Sequence, residues 1–496
     1  MKPEPATPAS TIRRRPRWLF RTGAILFGLA LILAAELICR IAGWGIAAEY
    51  EDPFVGFKGI NPLFELSADG GDYSIPKAKL KYFSPESFTD DKGKGAFRIF
   101  CLGGSTVKGR PYAKETAFST WLELALQAAE PDREWEVVNC GGISYASYRL
   151  VHILRECIGY QPDLFVICTG HNEFLEDRSY EGLKGIPDSI AFSQHWAART
   201  RIYQLLRSAL GKNQPADPSR FKMAKDVEAL LDFKGGLETY VRSDEWRDDV
   251  VRHFEHNLRA MIAMAEDAGI PVMLIQPPSN LRNSPPFKSQ HRDGLGIDQV
   301  LAFEQAIERA MGQRDMNLTV KHLREALAID DRYAITHYVI GKCLEILGQK
   351  QAAMKAYRRA LNEDVCPLRM IEPLVAALAR VCSETRVPLI DIHALLEKES
   401  PSGILGHVQL VDHIHPTIDG HKVVADAILT QMEKAGWGEK SEAWDERRDT
   451  AYSEHFETLD ATYFIEAKRA LHGLNEWAAG RAKEIPIASQ PSPVKE

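Results

Sequence analysis

The sequence predicts an α/β domain on a parallel five-stranded sheet, with a helical insertion and one N-terminal transmembrane helix. Three observations predict it. Five short runs rich in Val, Ile, Leu and Phe (98–102, 136–140, 163–168, 271–276 and 387–391) alternate with segments of helical spacing, as strands do when crossover helices join them. The tetrad Arg324-Glu325-Ala326-Leu327 returns 34 residues later as Arg358-Arg359-Ala360-Leu361, a period of helical repeats. Residues 22–41 are apolar except for Glu36 and Arg40.

The basic tail 1–21 carries Arg13, Arg14, Arg15, Arg17 and Arg21 ahead of a transmembrane signal-anchor helix at 22–46. Its 20 residues from 22 to 41 would span about 30 Å, the thickness of a bilayer's hydrocarbon core. Glu36 and Arg40 stand i,i+4 and can pair. Arginines ahead of the span put the N-terminus in the cytoplasm and the rest of the chain on the outer (periplasmic or extracellular) face of a bacterial-type plasma membrane, as a single-pass protein. A cleaved signal peptide is the competing reading, since residues 22–35 suit its apolar region and Ala47-Ala48 are small. The apolar stretch runs on past Ala35 with no clear A-x-A site, which favours an uncleaved anchor. Residues 47–96 read as a juxtamembrane linker.

The α/β domain itself falls in three parts, 97–178, 245–290 and 370–436. Before its fourth run, Val250, Val251, Phe254, Leu258, Met261, Ile262 and Ala265 make one apolar face of a crossover helix. In such sheets ligands gather at the carboxyl ends of the strands. The first three runs are followed there by Gly103-Gly104-Ser105-Thr106, by Asn139-Cys140-Gly141-Gly142-Ile143-Ser144 and by Thr169-Gly170-His171-Asn172-Glu173. Asp412-His413-Ile414-His415-Pro416 leads into a last helix at 417–435. Ser105 sits where a strand turns into a helix. Asp412 and His415, three apart, let one loop deliver a base and the carboxylate that orients it, and Asn172 offers an amide donor.

In this order the four pieces resemble the SGNH or GDSL hydrolase family, over about half of the chain. The resemblance implies a flavodoxin-like three-layer α/β/α sandwich. It also implies Ser105 as nucleophile, His415 as general base, Asp412 as its orienter, and an oxyanion hole made by Asn172 and the Ser105 N–H. The family usually has a glycine five residues after the asparagine ending the second strand, and here that position is Ser144. A backbone N–H survives the change, whereas the close approach and positive φ open to glycine need not. The third donor therefore stays open among Ser144, Gly141 and Gly142.

The expected activity is a carboxylesterase or deacetylase acting on acyl or acetyl esters of lipids, glycans or small molecules, with no cofactor and no metal. One alternative is an O-acyltransferase that passes the acyl group to an envelope glycan; another is a non-catalytic assembly protein with a degenerate hydrolase lobe. Other chemistries fail on spacing. Arg110-Pro111 follows Gly109 where a phosphate loop needs Gly-Lys and then Ser or Thr, and Val107 stands where an α/β-hydrolase elbow needs glycine. The cluster His407, Asp412, His413, His415 and His421 is poor in carboxylates for a metal, and His413 and His421 read as solvated loop and helix positions. His171 and Glu173 either tune the pocket or solvate a helix start.

Composition agrees. With 61 basic and 68 acidic side chains and a net charge of -7, no global basic surface exists to attract nucleic acid. Eight cysteines with no CxxC spacing exclude a disulfide-dense scaffold and a thiolate zinc site, and Cys101, Cys140 and Cys168 read as buried strand thiols.

The segment 300–366 resembles one and a half to two tetratricopeptide repeats, with Gly341, Ala353, Tyr357 and Ala360 on the small and aromatic positions and Phe303 with Ile307 as a partial first unit. So short an array buries no continuous core alone; it should dock on the α/β domain and either hold a partner's peptide or shape the cleft. A second insertion, 179–244, carries an Arg-rich helix near 200–210 and overhangs the strand ends, while Pro277-Pro278-Ser279-Asn280 and Pro285-Pro286 bound the same rim. The C-terminal extension, 437–496, is helical, with a Trp444, Tyr452, Phe456, Tyr463, Phe464 stripe expected to dock and an end expected to be disordered.

Overall fold

A computed structural model of the chain describes residues 17–42, 44, 62–176, 200–202, 205, 230 and 236–482. It divides into two compact units, residues 1–59 with 181–222, and residues 60–180 with 223–496.

In the first unit, helix α1 (Arg17–Ile41) is long and apolar enough over Thr22–Ile41 to cross a membrane. Its large apolar side chains stand outward, Phe27 at 67% and Leu33 at 69% exposure. Arg40 Nε donates to Glu36 at 3.0 Å, the expected pair, and the same carboxylate accepts the Arg201 and Ile202 amides. Most of the 179–244 insertion, including most of its Arg-rich stretch, lies outside the described residues.

The second unit opens with a small antiparallel sheet, β1 (Glu65–Leu66), β2 (Asp72–Ser74) and β3 (Ser87–Thr89). Residues 47–96 were expected to be a linker; 47–61 lie outside the described residues, and from residue 62 the segment is folded. Leu63, Phe64, Phe83 and Phe88 are buried, and Phe64, Phe88, Phe100 and Tyr160 form one aromatic cluster. Short strands with little alternation hid this sheet from a periodicity argument.

The main sheet is β4 (Phe97–Gly103), β5 (Trp135–Gly141), β6 (Leu164–Cys168), β7 (Val272–Gln276) and β8 (Leu389–Asp391), in the order β5-β4-β6-β7-β8, every neighbouring pair parallel. Numbered by sequence that is 2-1-3-4-5, the flavodoxin-like order. All seven residues of β4 are buried, so its two faces serve two helical layers. The register sets Gly103 opposite both Gly141 and Cys168, which brings the loops after β4, β5 and β6 side by side.

The remaining helices are α2 (Ser105–Lys108), α3 (Phe118–Ala129), α4 (Ser147–Cys157), α5 (Asp244–Asp267), α6 (Ile297–Met311), α7 (Met316–Ile329), α8 (Ala334–Ile346), α9 (Lys350–Asn362), α10 (Glu372–Thr385), α11 (Ile392–Glu399), α12 (Ile418–Lys434), α13 (Trp444–Glu457) and α14 (Ala461–Ala482). On one side, Ile99, Cys101 and Val166 pack with Trp121 and Leu122 of α3 and Val424 and Ile428 of α12. On the other, α5 packs between α4 and α10. Helix α5 buries Val250, Phe254, Leu258, Met261, Ile262 and Ala265 and is capped by Ser243, whose hydroxyl accepts the Trp246 amide.

Helices α6 to α9 form a row joined by short loops, with Phe303, Ala306 and Ala326 in a small core. A Cβ on Gly341 would stand 2.6 Å from the Tyr357 ring, so the α8–α9 crossing needs a residue without a side chain there. The row is fastened to the loop after β7: Tyr338 Oη donates to the Arg282 carbonyl at 2.9 Å and the Ile335 amide to Ser289 Oγ at 2.9 Å. Of the C-terminal aromatic stripe, Trp444 and Tyr452 dock on α3, donating to the Ala125 and Trp121 carbonyls at 3.1 and 3.0 Å. Phe456 is 39% exposed. The end read as disordered, 485–496, lies outside the described residues.

Candidate active site

The turn from β4 into α2 is made by two glycines that have no room for a side chain. A Cβ on Gly103 would meet the Cys168 carbonyl and Val107 Cγ2 at 2.2 Å, and one on Gly104 would meet Asn172 Nδ2 at 2.5 Å. This closeness sets the Asn172 amide beside Ser105, the first residue of α2; both are buried.

Beneath them, Asn139 of β5 is fully buried and spends its amide on structure, donating to the Val107 carbonyl at 2.7 Å and to Ser119 Oγ at 2.8 Å. Its Oδ1 accepts the Gly141 N–H at 2.9 Å, and the Gly142 N–H donates to the Gly103 carbonyl at 2.9 Å. Both glycines considered as oxyanion donors have therefore spent their amides within the fold. Ser144 takes a left-handed conformation, φ 63°, and its N–H has no hydrogen-bond partner among the described residues. The conformation expected to need glycine is kept with a serine, at a steric cost of about 1–2 kcal/mol.

After β6, Asn172 Nδ2 donates to the Tyr145 carbonyl at 2.9 Å. Glu173 is fully buried rather than solvated, accepting the Ser147 amide at 2.9 Å, Ser147 Oγ at 2.8 Å and Thr169 Oγ1 at 3.3 Å. His171 is buried too; its Nδ1 accepts the Met370 amide at 3.1 Å, and burial together with the nearby His413 and His415 holds its pKa well below the usual value.

The loop ahead of α12 completes the group. His415 Nε2 lies 2.8 Å from Ser105 Oγ, and its Nδ1 lies 2.6 Å from Asp412 Oδ2. Asp412 Oδ1 accepts the Ile414 and His415 amides, each at 2.8 Å. Burial pushes the Asp412 carboxyl up, but the charges of His415 and His413 and the hydrogen bonds from His415 outweigh it and hold the group well below the usual carboxylate range. Ser105, His415 and Asp412, 310 residues apart at the extremes, thus form one hydrogen-bonded chain, with Asn172 alongside.

His413, whose ring centroid lies 6.1 Å from that of His415, and His421 do not join this chain. His413 and His421 are buried, not solvated. His413 stands edge-on to Phe287 (5.2 Å between centroids) and burial pushes its pKa down to about 4; His421 Nδ1 accepts the Phe118 amide at 3.2 Å and burial pushes its pKa down to about 3. Helical spacing gave no sign of this, because a histidine that buries neutral occupies a core position as an apolar residue does. Among the described residues, no three His, Cys, Asp or Glu side chains are grouped to hold a metal ion.

A cleft of about 250 Å³, open mouth included, lies against Ser105 and is bounded by Gly104, Tyr145, His171, Asn172, Pro277 and Ile414; among the described residues that line it, the buried imidazole is the one basic group and no acidic side chain takes part. The Tyr145 carbonyl that orients Asn172 had no sequence signal, since a backbone oxygen carries no residue signature. A larger cleft near Phe174, Arg242 and Trp246, about 360 Å³, contains no paired nucleophile and base.

No protein-family model matches this chain, and no curated protein matches it. Among solved structures it is similar to GDSL-type lipolytic hydrolases. A lipase/acylhydrolase from Enterococcus faecalis aligns at 14% identity over 68% of this chain and 96% of its own, with a TM-score of 0.32. A GDSL-like lipase from Bacteroides thetaiotaomicron aligns at 11% identity over 68% and 88%, TM-score 0.27. An extracellular lipase from Streptomyces rimosus aligns at 12% identity over 68% and 99%, TM-score 0.28.

Proposed function

We propose that this protein is a membrane-anchored serine ester hydrolase whose Ser105, His415 and Asp412 act as nucleophile, general base and orienter. The observation that carries the reading is the unbroken chain from Ser105 Oγ through the His415 ring to Asp412, 2.8 and 2.6 Å long. Asp412, ionised, accepts the His415 Nδ1–H and so leaves Nε2 with its lone pair toward the Ser105 hydroxyl. As Oγ attacks an ester carbonyl, Nε2 takes its proton. The imidazolium then gives that proton to the departing alkoxide, and water repeats the cycle on the acyl-enzyme. The Ser105 N–H and the second Asn172 N–H are the donors proposed for the tetrahedral oxyanion, each worth about 10²–10³ in rate, with the Ser144 N–H as the third.

The small cleft, lined among the described residues by neutral groups, supports short, uncharged acyl groups, acetyl first, carried on envelope lipids, glycans or small molecules. With arginines preceding an outward-facing apolar helix, we place the N-terminus in the cytoplasm and the catalytic unit on the far side of the membrane. We read α6 to α9 as tetratricopeptide-like units, on the 34-residue recurrence and the Gly341–Tyr357 contact, and as a seat for a protein partner.

The test is hydrolysis of p-nitrophenyl acetate and fluorophosphonate labelling by the full-length protein in detergent, wild type beside Ser105→Ala. Turnover and labelling present in the wild type and absent from the variant are expected. A folded wild type that neither turns over nor labels would sink the reading. Alkali extraction and protease accessibility in spheroplasts test the topology, which fails if the catalytic unit is shielded from protease added outside the inner membrane.

A further inference from the structure

We propose that Asn280 is a positioning residue for the Asp412–His415 pair, held in turn by Arg369 at the foot of the helical insertion; this rests on the hydrolase reading above. Asn280 lies in the loop after β7, is wholly buried, and uses every polar group it has. Its amide donates to the His413 carbonyl at 2.9 Å and its Nδ2 to the Asp412 carbonyl at 2.8 Å. Its Oδ1 accepts the Asn283 amide at 2.8 Å and its own carbonyl accepts Arg369 Nη1 at 2.8 Å. One residue therefore grips two successive carbonyls of the loop that presents the carboxylate and the imidazole.

That grip matters because of where the loop's other end must reach. The Asp412 side chain is already fixed to its own loop by the Ile414 and His415 amides, so it travels with the 412–413 peptide. The His415 ring has to meet Ser105, which belongs to the separate turn after β4. Nothing in the local loop sets that distance; it depends on how the loop sits on the sheet. A drift of about 1 Å at a reacting atom costs about 10²-fold in rate. A buried position that must donate to one backbone group and accept from another suits asparagine, whereas aspartate lacks the donor and alanine lacks both.

Arg369 fixes the gripping loop itself. It is 2% exposed, donates to the Asn280 and Ser284 carbonyls at 2.8 and 2.6 Å, and faces Asp364 at 3.6 Å. Asp364 accepts the Phe287 and Lys288 amides at 2.8 and 3.0 Å. The next residue, Met370, donates its amide to His171 Nδ1 at 3.1 Å. The short segment leaving α9 thus braces the base-bearing loop through Asn280 and the Asn172 loop through His171.

The experiment compares Asn280→Ala, the isosteric Asn280→Asp and Arg369→Lys in the full-length protein, each alone and combined with Asp412→Asn, in aryl acetate turnover normalised to fluorophosphonate-titrated sites, with folding checked by thermal melting. The expected result is kcat about 10–100-fold lower with KM held within about threefold, and a loss of less than about threefold when Asp412→Asn is already present, because the residue acts through Asp412. Folded variants with wild-type kcat, or an equal loss in both backgrounds, overturn the proposal. A wild type without turnover or labelling would instead overturn the hydrolase reading. The positioning is then read from the low-field proton resonance of the His415–Asp412 hydrogen bond: it should shift or broaden in the Asn280 variants, and an unchanged resonance overturns the role.

Discussion

Replacing Asp412 by Asn exchanges one carboxylate oxygen for an NH₂ group and leaves the volume almost unaltered, so its effect reads the hydrogen bonds and the charge without a change of shape. In the wild type Oδ2 takes the His415 Nδ1–H at 2.6 Å and Oδ1 takes two backbone N–H groups at 2.8 Å each. An amide can keep only one of these arrangements. If its oxygen stays with the two backbone donors, its NH₂ faces Nδ1 and forces the ring into the tautomer that carries its proton on Nε2, where it cannot accept from Ser105. If the amide flips, the NH₂ meets two N–H donors with no acceptor between them, at a cost of about 1–3 kcal/mol for each group left unsatisfied. The first arrangement is the cheaper, and a wrong tautomer costs a serine triad about 10⁴ in kcat, or about 5 kcal/mol of transition-state stabilisation. We expect Asp412→Asn to lower kcat for p-nitrophenyl acetate by about 10³–10⁴ with KM and melting temperature little changed. A folded variant retaining more than about one tenth of wild-type kcat would refute the assignment of Asp412 as the orienting carboxylate.

Three further outcomes follow from the same geometry. Gly104→Ala puts a Cβ 2.5 Å from Asn172 Nδ2, so kcat should fall by about 10²-fold, while unchanged steady-state kinetics would show that Asn172 is not a donor. Ser144→Val, β-branched at φ 63°, should cost about 1–2 kcal/mol in denaturant melts whereas Ser144→Gly should not destabilise; the reverse order would contradict the left-handed backbone. His421, whose ring is held neutral down to about pH 3 against 6.5 in an unfolded chain, makes the unfolded state bind the extra proton between those values, so stability falls as pH drops through that window. His421→Gln, which keeps an acceptor for the Phe118 amide, should flatten that acid slope in melting temperature against pH, and a slope identical to wild type would show that the ring titrates normally.

What was legible in the sequence was whatever repeats or terminates. The five strands announced themselves as short apolar runs because a parallel sheet buried on both faces has no polar side, and β4 is indeed buried throughout. Three of the four polar pieces were visible because each follows such a run, and the fourth because it leads into the last helix; the register then brings Gly103, Gly141 and Cys168 level. What stayed hidden depends on chain segments meeting at a distance. The segment 62–89 looked like a tether because its burial comes from Phe100 and Tyr160, which no local pattern displays. His413 and His421 looked solvated, and Glu173 was left between tuning the pocket and solvating a helix start, because polarity argues for exposure until a partner such as Ser147 or the Phe118 amide is known. The choice among Gly141, Gly142 and Ser144 turned on which amides were already spent, a matter of hydrogen-bond accounting that sequence spacing cannot do.

The helical insertion has a consequence for the chemistry that the strand order alone would not suggest. It enters between β7 and β8, and the chain that leaves it passes Asp364, Arg369 and Met370 before α10 begins. The turns after β4 and β6 and the loop ahead of α12 leave separate elements of the fold, so their spacing depends on what ties them together. Here the exit segment supplies Arg369 to the Asn280 loop, which holds the 412–413 carbonyls, and the Met370 amide to His171, so the His415 loop and the Asn172 loop share one buttress. Because Arg369 and Asp364 are both buried, removing either leaves an uncompensated charge, and the buttress either holds as a whole or fails as a whole. A force on α9, whether from a bound peptide or from a mutation at the Gly341–Tyr357 contact, would therefore reach the His415–Ser105 distance through two hydrogen bonds rather than through a long relay. Gly341→Ala should thus lower kcat at constant KM although the residue touches no part of the cleft, and a loss of stability with kcat per titrated site unchanged would show the row of helices to be mechanically separate from the site.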